Sequence, residues 1–159
     1  MKTNNMKILI ICLIFLGTAV SAQNYHGQKP EKNIPTVVSA AFDKRFPHGD
    51  PIWFSDYENR YNQKLVYEGR FLFDNRYSTA VYDKEGNLLA FAAQVERNEI
   101  PQKALKYMTE NFPTFPIVDS ILVTTHDDEV TYELGIVVDG EYIVKVFSKE
   151  GDYIKSTRA

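Results

Sequence analysis

Three histidines, His26, His48 and His126, are the first places to look for acid–base or metal chemistry. None belongs to an HExxH pattern, the spacing that sets two imidazoles on one helical face around zinc. His48 follows Phe46-Pro47 and His126 precedes Asp127-Asp128-Glu129, so both read as exposed loop residues, as does His26. The acidic triplet offers the oxygen ligands that hard cations prefer, but it lacks the alternating acids and closing glutamate of a calcium loop. Asp83-Lys84-Glu85-Gly86-Asn87 fails the same test, because the loop is short and a lysine stands among its ligands. Both read as solvated turns. Among the serines, Ser39 and Ser78 have no elbow motif, and Ser55 lies beside Asp56 with no histidine nearby in sequence; a triad assembled only in space is invisible at this level. Glu68 and Glu133 invite comparison with paired catalytic carboxylates, but a shared fold position explains them more simply. No glycine-rich phosphate loop is present. The expectation is a non-enzymatic protein with no catalytic residues, no cofactor and no metal site.

Aromatic residues are the more informative feature. Trp53, Phe54 and Tyr57 cluster on one predicted strand, and Tyr61 follows in its loop. Trp53 and Tyr57 share strand parity, whereas Phe54 points the other way. Part of this cluster must be core; the rest forms a recognition surface, since tryptophan and tyrosine bury large areas while keeping a polar contact. Phe115, between Pro113 and Pro116, is another candidate exposed aromatic. The candidate partner-binding set is therefore Trp53, Tyr57, Tyr61 and Phe115, with Asp127, Asp128 and Glu129 at an acidic hairpin tip.

Export frames these residues. Lys2 and Lys7 precede the apolar run Ile8 to Leu16, which is too short for an ordinary membrane-spanning helix. Val20-Ser21-Ala22 then places small or modest side chains where signal peptidase reads, so residues 1–22 are a predicted signal peptide cleaved between Ala22 and Gln23. Cys12, the only cysteine, sits inside the run and not at its end, which argues against lipidation; after cleavage no thiol remains for disulfide, catalysis or metal. The predicted location is periplasmic or secreted. Of the 18 basic and 21 acidic residues, two lysines leave with the signal, so the remainder has 16 against 21 and a net charge of −5. That balance argues against a general nucleic-acid binder, which needs a concentrated positive surface. A hydrophobic share of 44% argues against extensive disorder.

The elements that position the candidates follow from an internal match. Residues 23–33 are polar and read as a short flexible leader. Ile34-Pro35 through Phe46-Pro47 then matches Ile100-Pro101 through Phe112-Pro113 at a shift of 66 residues. Val38, Phe42 and Phe46, and Ala104, Met108 and Phe112, recur every four residues, so each trio lines one face of a predicted helix. The prolines suit a helix start and a helix stop. Downstream the shift is 65: Tyr67-Glu68 matches Tyr132-Glu133, and Tyr82-Asp83-Lys84-Glu85-Gly86 matches Phe147-Ser148-Lys149-Glu150-Gly151. The change implies a single-residue length difference between helix and second strand. Strands are predicted at roughly 52–58, 64–73, 76–82, 88–95, 118–125, 131–138, 142–147 and 153–155, with Asp74-Asn75, Gly86 and Asp139-Gly140 as turns. The fold class is α+β: a tandem repeat, 34–97 and 100–156, of a helix followed by an antiparallel β-meander, within one domain spanning 34–159. Halves of about 65 residues are marginal alone, so they are expected to fold together.

The paired IPxxVxxAF…FP pattern and the Tyr-Glu strand followed by the YD-KEG-N turn resemble the PepSY-like proteins, described as similar to beta-lactamase-inhibitor proteins. The resemblance covers about Ile34 to Ser156 and rests on structural motifs. It implies tandem alpha–beta units, an envelope or secreted location common in the Bacteroidetes, and a concave sheet with protruding hairpins able to grip a partner. No inhibitory hot spot carries over to particular residues, so beta-lactamase inhibition is a fold-level analogy. The leading expectation is a module binding a protein of the cell envelope or exterior, such as a protease or another hydrolase that it modulates. The competing class is a small-molecule or peptide carrier using a groove between sheet and helices, which demands a continuous apolar pocket.

Overall fold

The computed structural model describes residues 29–58 and 64–158, apart from the side chains of Asp56, Tyr57 and Glu58. The predicted signal peptide, His26 and Tyr61 lie outside the described residues. Helix α1 (Thr36–Arg45) is followed by strands β1 (Ile52–Glu58), β2 (Lys64–Phe73), β3 (Arg76–Asp83) and β4 (Leu88–Gln94). A single 3-10 turn (Arg97–Glu99) leads into α2 (Gln102–Asn111) and then β5 (Asp119–Thr125), β6 (Val130–Val138), β7 (Glu141–Ser148) and β8 (Tyr153–Arg158). All eight strands form one antiparallel sheet in chain order. The described chain is mostly β, with two helices.

The helix limits follow from their prolines. Pro35 and Pro101 stand at the N-cap with extended ψ of 135° and 132°, one position before the first helical turn. Phe46 and Phe112 leave the helix under the constraint of the proline after each. Asp74-Asn75 (φ 48° and 62°) and Asp139-Gly140 (φ 52° and 82°) form two-residue turns with both central residues left-handed, the geometry that follows strand twist.

The KEG turns have a packing reason. Gly86 and Gly151 both adopt positive φ, 85° and 86°. A Cβ on Gly86 would meet the Val37 carbonyl at 2.9 Å, and one on Gly151 would meet the Ala104 amide nitrogen at 2.9 Å. Each β-turn thus seats against the first turn of the helix of its own half. The Asp83 carboxylate accepts from the Glu85 and Asn87 amides, and Ser148 Oγ accepts from those of Glu150 and Asp152.

Both helices lie on one face of the sheet. Val38, Phe42 and Phe46 pack with Tyr67, Phe71, Ala80 and Tyr82. Ala104, Leu105 and Met108 pack with Leu134, Ile136 and Phe147. Phe112, predicted as the third member of its trio, is only partly buried; the Lys145 ammonium lies 4.2 Å from its ring centre and donates to Ser156 Oγ. The single-residue length difference expected between the halves resolves into two. Ile52 pairs with Arg70 and Asp119 with Gly135. The helix-to-strand connection is therefore one residue longer in the second half, and the first hairpin is two shorter.

Candidate functional site

Register alone separates the two faces. Trp53 opposes Gly69 and Gly69 opposes Ala80, on the helix side. The Trp53 ring lies edge-on to Phe42 with centroids 5.4 Å apart, covers Gly69 and approaches Tyr82 at 6.3 Å. It is half-buried core packing under α1. Tyr57 pairs with Leu65 in the ladder, and its side chain lies outside the described residues. Phe115 is partly buried against the α2 core, its amide donating to the Phe112 carbonyl. Asp127, Asp128 and Glu129 are exposed at the β5–β6 tip, where Asp128 takes φ 59°. His126 Nε2 lies 3.2 Å from Asp127 Oδ1, and the His126 amide donates to the Leu89 carbonyl. The sequence-predicted residues that are described are thus not gathered into one site: Trp53 and Phe115 pack against the two helix cores and the acids stand at a hairpin end. Among the described residues no group of three or more histidine, cysteine or carboxylate side chains is placed to hold a metal ion.

The opposite face, free of helices among the described residues, holds a different set. Ile52, Leu72 and Tyr77 are 58%, 56% and 57% exposed. Leu72 faces Tyr77 across the β2–β3 ladder, and Ile52 is diagonal to Leu72. Beside them the Arg70 guanidinium stands 4.2 Å over the Phe54 ring and 2.9 Å from Glu68. These are residue types that anchor protein interfaces. Strand alternation is the signal able to find them: it sets Phe54 opposite to Trp53, but which parity the helices cover is not written in the alternation.

Toward the middle of this face Val66, Val81, Ala90, Ala92, Ile121 and Val123 form a buried cluster made of strand residues alone. Glu133 lies beside it, between Ile121 on β5 and Val146 on β7, and is only 4% exposed. Burial pushes its carboxyl up to about 7; Lys155 acts downward and Asp119 upward. Asp119, diagonal to Glu133, is also raised by burial, against the hydrogen bonds from the Ser120 amide and Tyr142 Oη at 3.4 Å. Tyr142 reaches it by lying over Gly135, where a Cβ would stand 2.2 Å from the phenol oxygen.

Between the sheet and the helices the space is filled by rings: Phe46 packs on Phe71 at 4.9 Å and on Phe91 at 5.3 Å, and Tyr107 on Tyr153 at 4.8 Å. An open groove of 630 Å³ runs along the outer side of α2, lined by Arg97, Gln102, Lys106 and Glu110 among others. Its lining mixes charged side chains with Leu105 and it is open to solvent, unlike the enclosed apolar channel between sheet and helices that a carrier would need.

No family model matches the chain, and no curated protein does. Solved structures do. A protein from Bacteroides eggerthii DSM 20697 described as periplasmic aligns with a TM-score of 0.65 at 10% identity, over 79% of this chain and 89% of that one. A DUF2874 family protein from Bacteroides uniformis ATCC 8492 gives 0.63 at 13% identity, over 78% and 88%. A BLIP-like protein from Bacteroides fragilis NCTC 9343 gives 0.56 at 14% identity, over 84% and 89%. The chain shares the fold of these proteins. At such identities the likeness extends to the fold alone. None of the helices among the described residues is long and apolar enough to cross a membrane.

Proposed function

We propose that this chain is a periplasmic or secreted, non-enzymatic module that binds a partner protein through the helix-free face of its sheet and the adjoining hairpins. The observation that carries the reading is the exposed set Ile52, Leu72 and Tyr77, neighbours on a face that no described helix covers. Arg70 and Phe54 extend the same surface. Residues 1–22 act as the export signal and 34–159 as one domain of two repeats, 34–97 and 100–156. The Ile-Pro, Phe-Pro and KEG motifs keep a PepSY-like relationship within this reading; the BLIP-like neighbour shares the fold, and the neighbour described as periplasmic is consistent with the proposed location. Asp127, Asp128 and Glu129 stand at a projecting tip and act on the rate and salt dependence of association. Modulation of an envelope protease or other hydrolase is the form of action that best suits a rigid sheet with protruding hairpins.

The test is capture from envelope extract followed by a measured affinity. Leu72→Ala with Tyr77→Ala should weaken a saturable complex by roughly thirtyfold or more, as for true interface anchors, while circular dichroism stays native. His48→Ala and His126→Ala should leave it unchanged. Full binding by the Leu72/Tyr77 variant, or loss with either histidine, overturns the reading.

A further inference from the structure

We propose that the helix-free face around Glu133 receives a lysine or arginine side chain from a basic loop of the partner protein. This rests on the docking reading above and names the chemistry of what docks. Glu133 is more than nine-tenths buried and forms no hydrogen bond or ion pair within contact distance among the described residues. Its ladder neighbours, Ile121 and Val146, are 3% exposed each. On β8, Lys155 opposes Val146, so it stands two strands from Glu133, about 10 Å at ordinary strand spacing. On β4 the residue in the same row is Gln94, which opposes Ile121 and carries no charge. Asp119 on β5 adds a second carboxylate on the diagonal, oriented by Tyr142 of β7. Burial and the second acid beside it both oppose the ionised form of this carboxylate, and Lys155 offsets them only in part.

The chain that supplies β5 and β6 is mainly acidic. Between Lys106 and Lys145 the chain holds eight aspartates and glutamates and no lysine or arginine. This stretch supplies β5, β6 and the exposed tip at Asp127, Asp128 and Glu129. A basic loop is drawn to such a surface before it docks. Once there, the cationic head of a lysine or arginine meets the Glu133 carboxylate while its aliphatic stem lies over the apolar strand residues of this face. An acidic or neutral loop would leave the carboxylate desolvated and unpaired, which favours the basic partner over others.

The probes are a backbone-cyclised hexapeptide with two arginines and its counterpart with citrulline in place of each arginine, which removes charge and keeps shape. Binding to the protein is followed by amide ¹⁵N–¹H shifts. The arginine peptide should move the signals of Ile121, Glu133 and Val146, and the citrulline peptide should not. Glu133→Gln, checked by circular dichroism for native folding, should weaken the arginine peptide about tenfold or more. With a carboxyl that titrates at about 7, affinity should rise about tenfold from pH 6 to pH 8, as the ionised form takes over. Replacing the tip with Asp127→Asn, Asp128→Asn and Glu129→Gln should reduce the salt dependence and leave the shift pattern on the sheet. Equal effects of the two peptides, shifts confined to residues 126–129, unchanged affinity in Glu133→Gln, or no binding of either peptide would each overturn the inference. None of these results touches the docking reading, which stands or falls with Leu72 and Tyr77.

Discussion

Glu133 is an acid held in a buried, largely aliphatic environment. Its match in the first half, Glu68, bonds Arg70 and is partly exposed, whereas Glu133 sits among valine and isoleucine. Equivalent strand positions therefore carry different electrostatics, because Gly135 stands where the first half has Arg70. The consequence for stability has a definite sign. A carboxyl raised from 4.5 to about 7 binds its proton more tightly folded than unfolded. Stability should therefore fall as pH rises from about 4.5 to about 7 and level off above, at a cost of up to about 3 kcal/mol from this group. Glu133→Gln should flatten that slope and raise the denaturation midpoint at pH 8. Urea melts of both proteins between pH 5 and pH 8 give the comparison. A parallel pH dependence in the two would show that Glu133 is ionised without penalty.

At the scale of elements, the two helices are not equally anchored. Phe46 is 4% exposed and touches Phe42, Phe71, Phe73 and Phe91, whereas Phe112 is partly buried and its best partners are Tyr107 and the Lys145 ammonium. Phe46→Ala should cost about 3–5 kcal/mol, the range for a buried phenylalanine, and Phe112→Ala clearly less. Chemical denaturation of both variants measures the difference; equal losses would mean that Phe112 closes α2 as fully as Phe46 closes α1. The turn glycines make a second element-level prediction. Gly86→Ala forces a side chain into positive φ and against the Val37 carbonyl, so it should destabilise by more than about 1 kcal/mol. Gly140 has the same φ with nothing within 4 Å, so Gly140→Ala pays only the backbone strain. A Gly86→Ala variant as stable as Gly140→Ala would remove the helix contact as the reason for the KEG motif.

The whole molecule is joined through β4 and β5. Their ladder runs from Ala90–Thr125 to Gln94–Ile121, and the cluster on the helix-free face draws Val66 and Val81 from the first half and Ile121 and Val123 from the second. Serine 120 ties the junction again, its hydroxyl donating to the Val95 carbonyl at 2.7 Å. A shared core of this kind should unfold as one body. Trp53 is the sole tryptophan and reports the first half, while circular dichroism reports both. Coincident transitions are expected, and two separated ones would show independent halves. Export gives the remaining molecular prediction: mass spectrometry of the secreted protein should find Gln23 at the N-terminus, and retention of Lys2 through Leu16 would overturn the signal-peptide reading.

Local chemistry made the elements legible. Proline on either side of a four-residue apolar spacing delimits each helix, two-residue Asp-Asn and Asp-Gly turns set hairpin registers, and alternation marks strands; all of these act over a few residues, so one sequence suffices. The ranges read for β1 and β2 coincide with those observed, and the other strands differ mainly at their ends. The edges moved where tertiary pairing extends a strand, as in β8, which runs to Arg158 because β7 offers partners as far as Ile143. The site was far less legible. Alternation assigns Trp53 and Phe54 to opposite faces, yet only the docking of α1 decides that Trp53 is beneath a helix and Phe54 is not. Leu72 and Tyr77 look like any apolar strand residues until that choice is made. Glu133 is ordinary in sequence and becomes singular only when Ile121 and Val146, twelve and thirteen residues away, close on it from both sides. Burial is a property of what the other elements cover, and no local pattern encodes which face of an eight-stranded sheet its two helices take.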